Sequence, residues 1–114
     1  MNENCIFCRI VRGEIPSKKV YEDDEVIVFN DINPAAPVHL LVVPKEHLES
    51  LMTTRPQHQA LMGKMLLLAP RLAREHGSID GFKVVINNGH GGGQEVFHMH
   101  FHVLAGPRPW KRTL

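Results

Sequence analysis

A chain of 114 residues is the size of one ordinary domain and can bury roughly two-thirds of the surface its unfolded form exposes. With 43% hydrophobic and 22% charged residues it has the material for a core and needs no covalent staples. Its formal net charge of +1 argues against non-specific nucleic-acid binding, which needs a basic excess to displace counterions, but leaves room for a small anionic ligand.

The N-terminus, Met1 to Arg9, has no basic segment followed by a long apolar one, so no secretory signal is expected. No apolar run approaches ~18 residues, so no membrane span is expected, and the cytoplasm is the expected location. Residues 5–12 place Ile6, Phe7, Ile10 and Val11 at helical spacing, with Gly13 as a stop and Pro16 forcing an extended exit. Segment 18–22 reads as a short strand and Glu22-Asp23-Asp24 as a turn. Val26-Ile27-Val28-Phe29 is β-branched and aromatic, hence a strand. Asn33 to Pro37 is a loop by its prolines. Val38 to Val43 is an apolar run broken only by His39, a strand buried on both faces and closed by Pro44. Segment 57–76 repeats apolar residues at helical spacing from Leu61 to Ala73. Gly77 is its expected cap, and Pro70 is expected to kink its last turns. Phe82 to Asn87 alternates as a strand, Gly89 to Gly93 is a loop, and 96–104 is the last strand. No repeat or second domain is visible. The expected class is α+β: a largely antiparallel five-stranded sheet with one long and one short helix, in a single domain over 1–114.

Eight histidines is the compositional oddity, and three fall in the run His98-Met99-His100-Phe101-His102. Side chains alternate along a strand, so these three are expected on one face of 96–104. Phe97, Met99, Phe101 and Val103 are expected on the other, against the core. Three adjacent imidazoles repel if charged and waste burial if neutral. Unless they are simply solvated, they converge on something anionic or on a metal. Alternate strand histidines suit a metal site. They equally suit a neutral imidazole nucleophile whose neighbours hold phosphoryl oxygens. Spacing does not choose between the two.

This run, followed by Val103-Leu104, resembles the motif of the histidine triad (HIT) family, Hint-like branch. The resemblance spans nearly the whole chain. It takes in Cys-Ile-Phe-Cys-Arg-Ile at 5–10, Glu14-Ile15-Pro16, Tyr21 to Asp24, Phe29 to Pro34, Ala36 to His39, Val43-Pro44-Lys45, Asn87 and Gly93-Gln94. It implies a compact homodimer that hydrolyses or transfers a purine nucleoside phosphoramidate or related nucleotide ester through a covalent nucleotidyl-histidine. His100 would be the nucleophile, His102 a phosphate-oxygen binder and His39 their support from the neighbouring strand. Asp31 would accept bonds from the ribose hydroxyls, and Asn87, Gly93 and Gln94 would approach the sugar–phosphate. Ile6, Phe7, Ile10, Phe29 and Ile32 would form the apolar slot for the base. The plain alternatives are that Asp31 starts a turn, Asn87 ends a strand, Gln94 braces a loop and the apolar five belong to the core. His58 and His76, on the long helix, are expected to be solvated, and His90 has no assigned role. Glu95 departs from the branch, which carries a serine there that assists the leaving group. Serine-assisted phosphoramidase chemistry is therefore in question, whereas attack by His100 is not.

The glycine run lacks Gly-Lys-Ser/Thr and is followed by an expected strand, which excludes Walker and dinucleotide loops. It remains a turn whose amides could approach a phosphate. Cys5 and Cys8, the only cysteines, share a helix face at i, i+3. Two thiolates supply half of a tetrahedral zinc shell, and the alternative is two reduced, buried thiols. Spacing does not say which histidines would complete the shell. The resemblance, to bacterial members with Cys-x-x-Cys, implies His47 and His98, and a structural Zn2+. Two other readings stay open. One is a zinc hydrolase with His98, His100 and His102 as ligands. The other is a nucleotide-binding or interaction module with weak catalysis.

Overall fold

A computed structural model describes residues 4–114, so the part of the N-terminal reading that falls on residues 1–3 lies outside it. In chain order the elements are α1 (Ile6–Val11), β1 (Lys19–Glu22), β2 (Val26–Asn30), β3 (Val38–Pro44), α2 (Gln59–Glu75), β4 (Lys83–Val85) and β5 (Phe101–Ala105). Single-turn helices lie at Leu51–Thr53, Pro56–His58 and His90–Gly92. The strands form one five-stranded antiparallel sheet in the order β1-β2-β3-β5-β4. This is the expected α+β class.

The two helices cover opposite faces of the sheet, which is why β2 and β3 are apolar on both sides apart from Asn30 and His39. On one face Leu61, Met65, Leu68 and Leu72 of α2 pack on Val28, Leu40, Val42, Phe101 and Val103. On the other, Phe7, Cys8 and Ile10 of α1 pack on Ile27, Phe29, Leu41 and Val43. Alternation along β3 thus sends Leu40 and Val42 to the α2 side, and Leu41 and Val43 to the α1 side. A third cluster joins Ala35, Ala36 and Leu104 to Trp110 and Leu114 of the C-terminal tail.

The long helix runs through Pro70 to Glu75, because packed residues on both sides of the proline hold it. It ends as expected at Gly77, whose φ of +89° suits glycine. The Gly77 N–H donates to the Arg74 carbonyl and the Ser78 N–H to that of Ala73, the paired bonds of a Schellman stop.

The last two strands are shorter than their patterns. Pairing covers 83–85 rather than 82–87, and 101–105 rather than 96–104. Segment 94–100 spends its hydrogen bonds elsewhere. The Gln94 amide takes the Val96 carbonyl, the Met99 N–H goes to Leu48, and the His100 ring takes the carbonyl of His98. Phe97, expected in the core, is consequently 45% exposed, whereas Met99 and Phe101 are buried as expected.

Candidate functional site

His39 near the start of β3 and His102 on β5 meet on the α1 side of the sheet, and main-chain groups set their protons. The Ala35 N–H donates to His39 Nδ1 at 2.9 Å, so that nitrogen holds a lone pair and the ring proton sits on Nε2. His39 Nε2–H then donates to His102 Nδ1 at 2.9 Å, with Asp31 Oδ2 farther off at 3.4 Å. His102 Nδ1 being an acceptor, its proton lies on Nε2, where it can be offered to an anion. His100 is set the opposite way round by a carbonyl: its Nδ1–H donates to His98 O at 2.8 Å, leaving the lone pair on Nε2. The His100 ring stands edge-on to Phe7 at 5.1 Å between centroids, and 4.9 Å from His102.

Burial lowers the pKa of His39 and of His100. Burial, then the neighbouring His100 and His39, lowers that of His102 to about 4. All three rings are therefore neutral at pH 7, as the donor pattern requires. A neutral imidazole with a free Nε2 is a nucleophile, and one with a free Nε2–H is an oxyanion donor. Beside them, Pro16, Ser17, Lys18, Asn30, Asp31 and Ile32 line an open groove of about 650 Å3.

The first triad histidine turns elsewhere. The ligand atoms of Cys5, Cys8, His47 and His98 all lie within 4.8 Å of one another. His98 Nδ1 is 3.3 Å from Cys5 Sγ, 3.6 Å from Cys8 Sγ and 3.2 Å from His47 Nδ1, and His47 Nδ1 is 3.2 Å from Cys8 Sγ. A tetrahedral zinc shell built from two sulfurs and two nitrogens has edges of about 3.3 to 3.8 Å, so the four donors fit one ion. His98 Nε2–H donates to the Pro44 carbonyl at 2.7 Å, which fixes its lone pair on Nδ1, facing the sulfurs. Burial pushes the Cys5 thiol up; a bound cation would instead deprotonate it.

What is corrected is the paired strand expected over 96–104, not the side to which the three histidines point. Only His102 lies in β5, yet all three rings fall on the α1 side, since His98 and His100 both meet Phe7. A zinc centre ligated jointly by the triad is not what the geometry offers, because both His98 nitrogens are engaged away from His102. The Asp31, His39 and His102 donors also cluster, but the two imidazole nitrogens share a hydrogen bond there.

Among the other residues singled out, Phe7, Ile10 and Phe29 are buried under α1, while Ile6 is half-exposed and Ile32 is 99% exposed. Asp31 takes the Asn33 N–H on Oδ1, a turn bond, and faces His39 with Oδ2. Asn87 is half-buried beyond β4. Gly93 sits at φ +80° in the glycine turn. Gln94 is buried and braces that turn: its Oε1 accepts from Gly89 N–H, and its Nε2 donates to the Glu49 and Val96 carbonyls. Glu95 is exposed, and its charge acts to raise the pKa of His100. His58, expected in solvent, is buried. Its Nδ1 accepts the Arg55 N–H, and its Nε2 lies 3.2 Å from Glu46. His76 is exposed as expected. The resemblance implies a main-chain carbonyl for the His100 Nδ1–H without saying which, and sequence reasoning missed the main-chain groups of Ala35 and Pro44, which have no side-chain signature.

The HIT domain family matches residues 12–108. The chain belongs to that family. It is 56% identical over 105 residues to protein HitA of Neisseria gonorrhoeae, covering 92% of this chain and 98% of that one. It is 40% identical over 107 residues to the purine nucleoside phosphoramidase of Escherichia coli K12, covering 93% and 90%. A histidine triad protein from Clostridium difficile superposes with a TM-score of 0.90 at 47% identity, covering 96% of each chain. A Zn-bound histidine triad family protein from Mycobacterium smegmatis does so with 0.79 at 38% identity, covering 90% and 74%. These likenesses support a hydrolase or nucleotide-binding role for this HIT protein, and a Cys2His2 cluster compatible with Zn2+.

Proposed function

We propose that this HIT protein, acting as one domain over residues 1–114, hydrolyses a purine nucleoside phosphoramidate or a related nucleotide ester to the nucleoside monophosphate. The observation that carries the reading is the proton order of the site: Nε2 of His100 bears a lone pair, and Nε2 of His102 bears a proton. In the first step His100 Nε2 attacks the α-phosphorus, the bond from phosphorus to the leaving nitrogen or oxygen breaks with its electron pair, and the leaving group takes a proton from solvent water. In the second, water attacks the nucleotidyl-histidine, the phosphorus–nitrogen bond breaks, a proton returns to solvent and neutral His100 is freed. His102 Nε2–H donates to the phosphoryl oxygen on which charge grows, and His39 holds His102 in the donating tautomer. Asp31, at the rim of the groove, takes the ribose hydroxyls. Ile6, Ile32 and the buried Phe7, Ile10 and Phe29 behind them form the apolar wall for the base. Gly93 and Asn87 approach the phosphate, and Gln94 holds their turn.

Cys5, Cys8, His47 and His98 would hold a structural Zn2+. Four protein ligands close the shell, so the ion would supply folding energy and no Lewis-acid chemistry. Free thiols at these positions fit a reducing cytoplasm.

Mass spectrometry of the protein quenched during turnover of an adenosine phosphoramidate tests the reading. A nucleotidyl adduct mapped to His100 is expected, and His100→Ala should lose adduct and turnover while still binding nucleotide. Unchanged turnover in that variant would remove the proposed mechanism; binding without turnover in the parent protein would favour a nucleotide-binding module.

A further inference from the structure

We propose that the Cys5–Cys8–His47–His98 cluster positions the nucleophile, so that a divalent metal held there sets how well His100 is aligned for attack. The inference rests on the reading of His100 as the nucleophile and extends it. His98 faces two ways. Its ring closes the cluster, 3.3 Å from Cys5 and 3.2 Å from His47, and its main-chain carbonyl receives the His100 Nδ1–H at 2.8 Å. That hydrogen bond fixes the tautomer and direction of the attacking ring. Residues 94–100 have no strand pairing, so the peptide that carries this carbonyl is held by two anchors, the Met99 N–H bond to the Leu48 carbonyl and the His98 ring, and the ring is the anchor that a metal would tighten.

A second path runs through α1. This helix has six residues, too few to persist without tertiary contacts. Cys5 caps it and Cys8 lies in its first turn. Phe7, between them, meets His98 at 5.9 Å and His100 at 5.1 Å between ring centroids. Without an ion, two thiols, which are weak donors, and two imidazole nitrogens hold one another only by their own contacts of 3.2 to 3.6 Å. A cation tying the four together fixes both the carbonyl and the Phe7 edge against which His100 rests.

The test uses the whole protein in three folded forms: zinc-loaded, chelated, and reloaded with zinc. A Cys5→Ser/Cys8→Ser variant accompanies them. Bound metal, the 15N shifts of the His100 imidazole, and kcat and KM are measured separately. Chelation should lower kcat roughly 10- to 100-fold with KM little changed, the size expected when a reacting group loses alignment. The His100 signal should pass from one Nδ1–H tautomer to a mixture, and zinc should restore both in the parent but not in the variant. Lower thermal stability with unchanged kcat and an unchanged His100 tautomer would assign the metal a structural role only and overturn the proposal. Full zinc retention by the variant would do the same. Should the chelated protein or the variant unfold, cadmium decides the matter. This larger ion keeps the shell closed, and its loading should shift the His100 signals and lower kcat; identical values overturn the proposal. No adduct on His100 in the zinc-loaded parent overturns the nucleophile reading itself, whereas a normal adduct with metal-independent kcat overturns this proposal alone.

Discussion

His102 donates from Nε2 because an amide two links away leaves it no other arrangement: Ala35 N–H to His39, His39 to His102. The chain works only with neutral rings, since a protonated His39 could not accept from Ala35. Its pH dependence follows. His102 ionises at about 4 in the fold, against about 6.5 for an unperturbed histidine in the unfolded chain. As pH falls below about 6.5 the unfolded chain takes up a proton that the folded chain refuses, so stability is complete above that pH and is lost down to about 4. Urea unfolding between pH 7 and 4.5 should show a loss of about 2 kcal/mol from His102, allowing for its partial exposure. His102→Asn should flatten that part of the slope; an equal slope in the variant would contradict the assignment. At this scale side-chain chemistry was legible: Cys5, Cys8, His47 and His98 come together as the resemblance implied. What was not legible is main-chain chemistry, because any residue but proline carries the N–H that Ala35 supplies. His58 was misplaced for a related reason: its partners, the Arg55 amide and Glu46, are set by a local turn that no periodicity records.

Among the elements, the long helix and the central strands were readable because apolar period is the dominant signal and both are flanked by core. Segment 96–104 shows the limit of that signal. Its alternation records which way side chains point, and Met99, Phe101 and Val103 do enter the α2 layer. It does not record pairing, which Gln94, Met99 and His100 forgo in favour of other partners. The α2 layer carries the stability. Leu72, 1% exposed, lies in the middle of it, and Leu72→Ala should cost about 3 kcal/mol by denaturant unfolding through lost burial and a residual cavity. A loss below about 1 kcal/mol would mean that the layer repacks.

For the molecule as a whole, no helix of the described residues is long and apolar enough to cross a membrane. Two features of the surface ask for a partner: β4 is an edge strand, and α2 turns Leu66 and Leu67, the latter 75% exposed, away from the sheet. A second copy covering them would give the homodimer that the family resemblance implies. Sedimentation should show a dimer, and Leu67→Glu should shift it to monomer by burying an unpaired carboxylate. A monomeric parent protein would leave that face without its proposed role.

The sheet also divides the labour. Every candidate catalytic and metal-binding ring lies on the α1 side, while the α2 layer is hydrocarbon from Leu61 to Leu72. Met99 and Phe101 of that layer alternate with the histidines along one stretch of chain and so are its members nearest to the site in sequence. Robustness and reactivity are therefore separable properties for a protein engineer. Substitutions in the α2 layer away from those two residues should combine additively with changes around His100, the behaviour of sites that share no neighbours. A thermostable version could be sought on one face while new substrates are sought on the other.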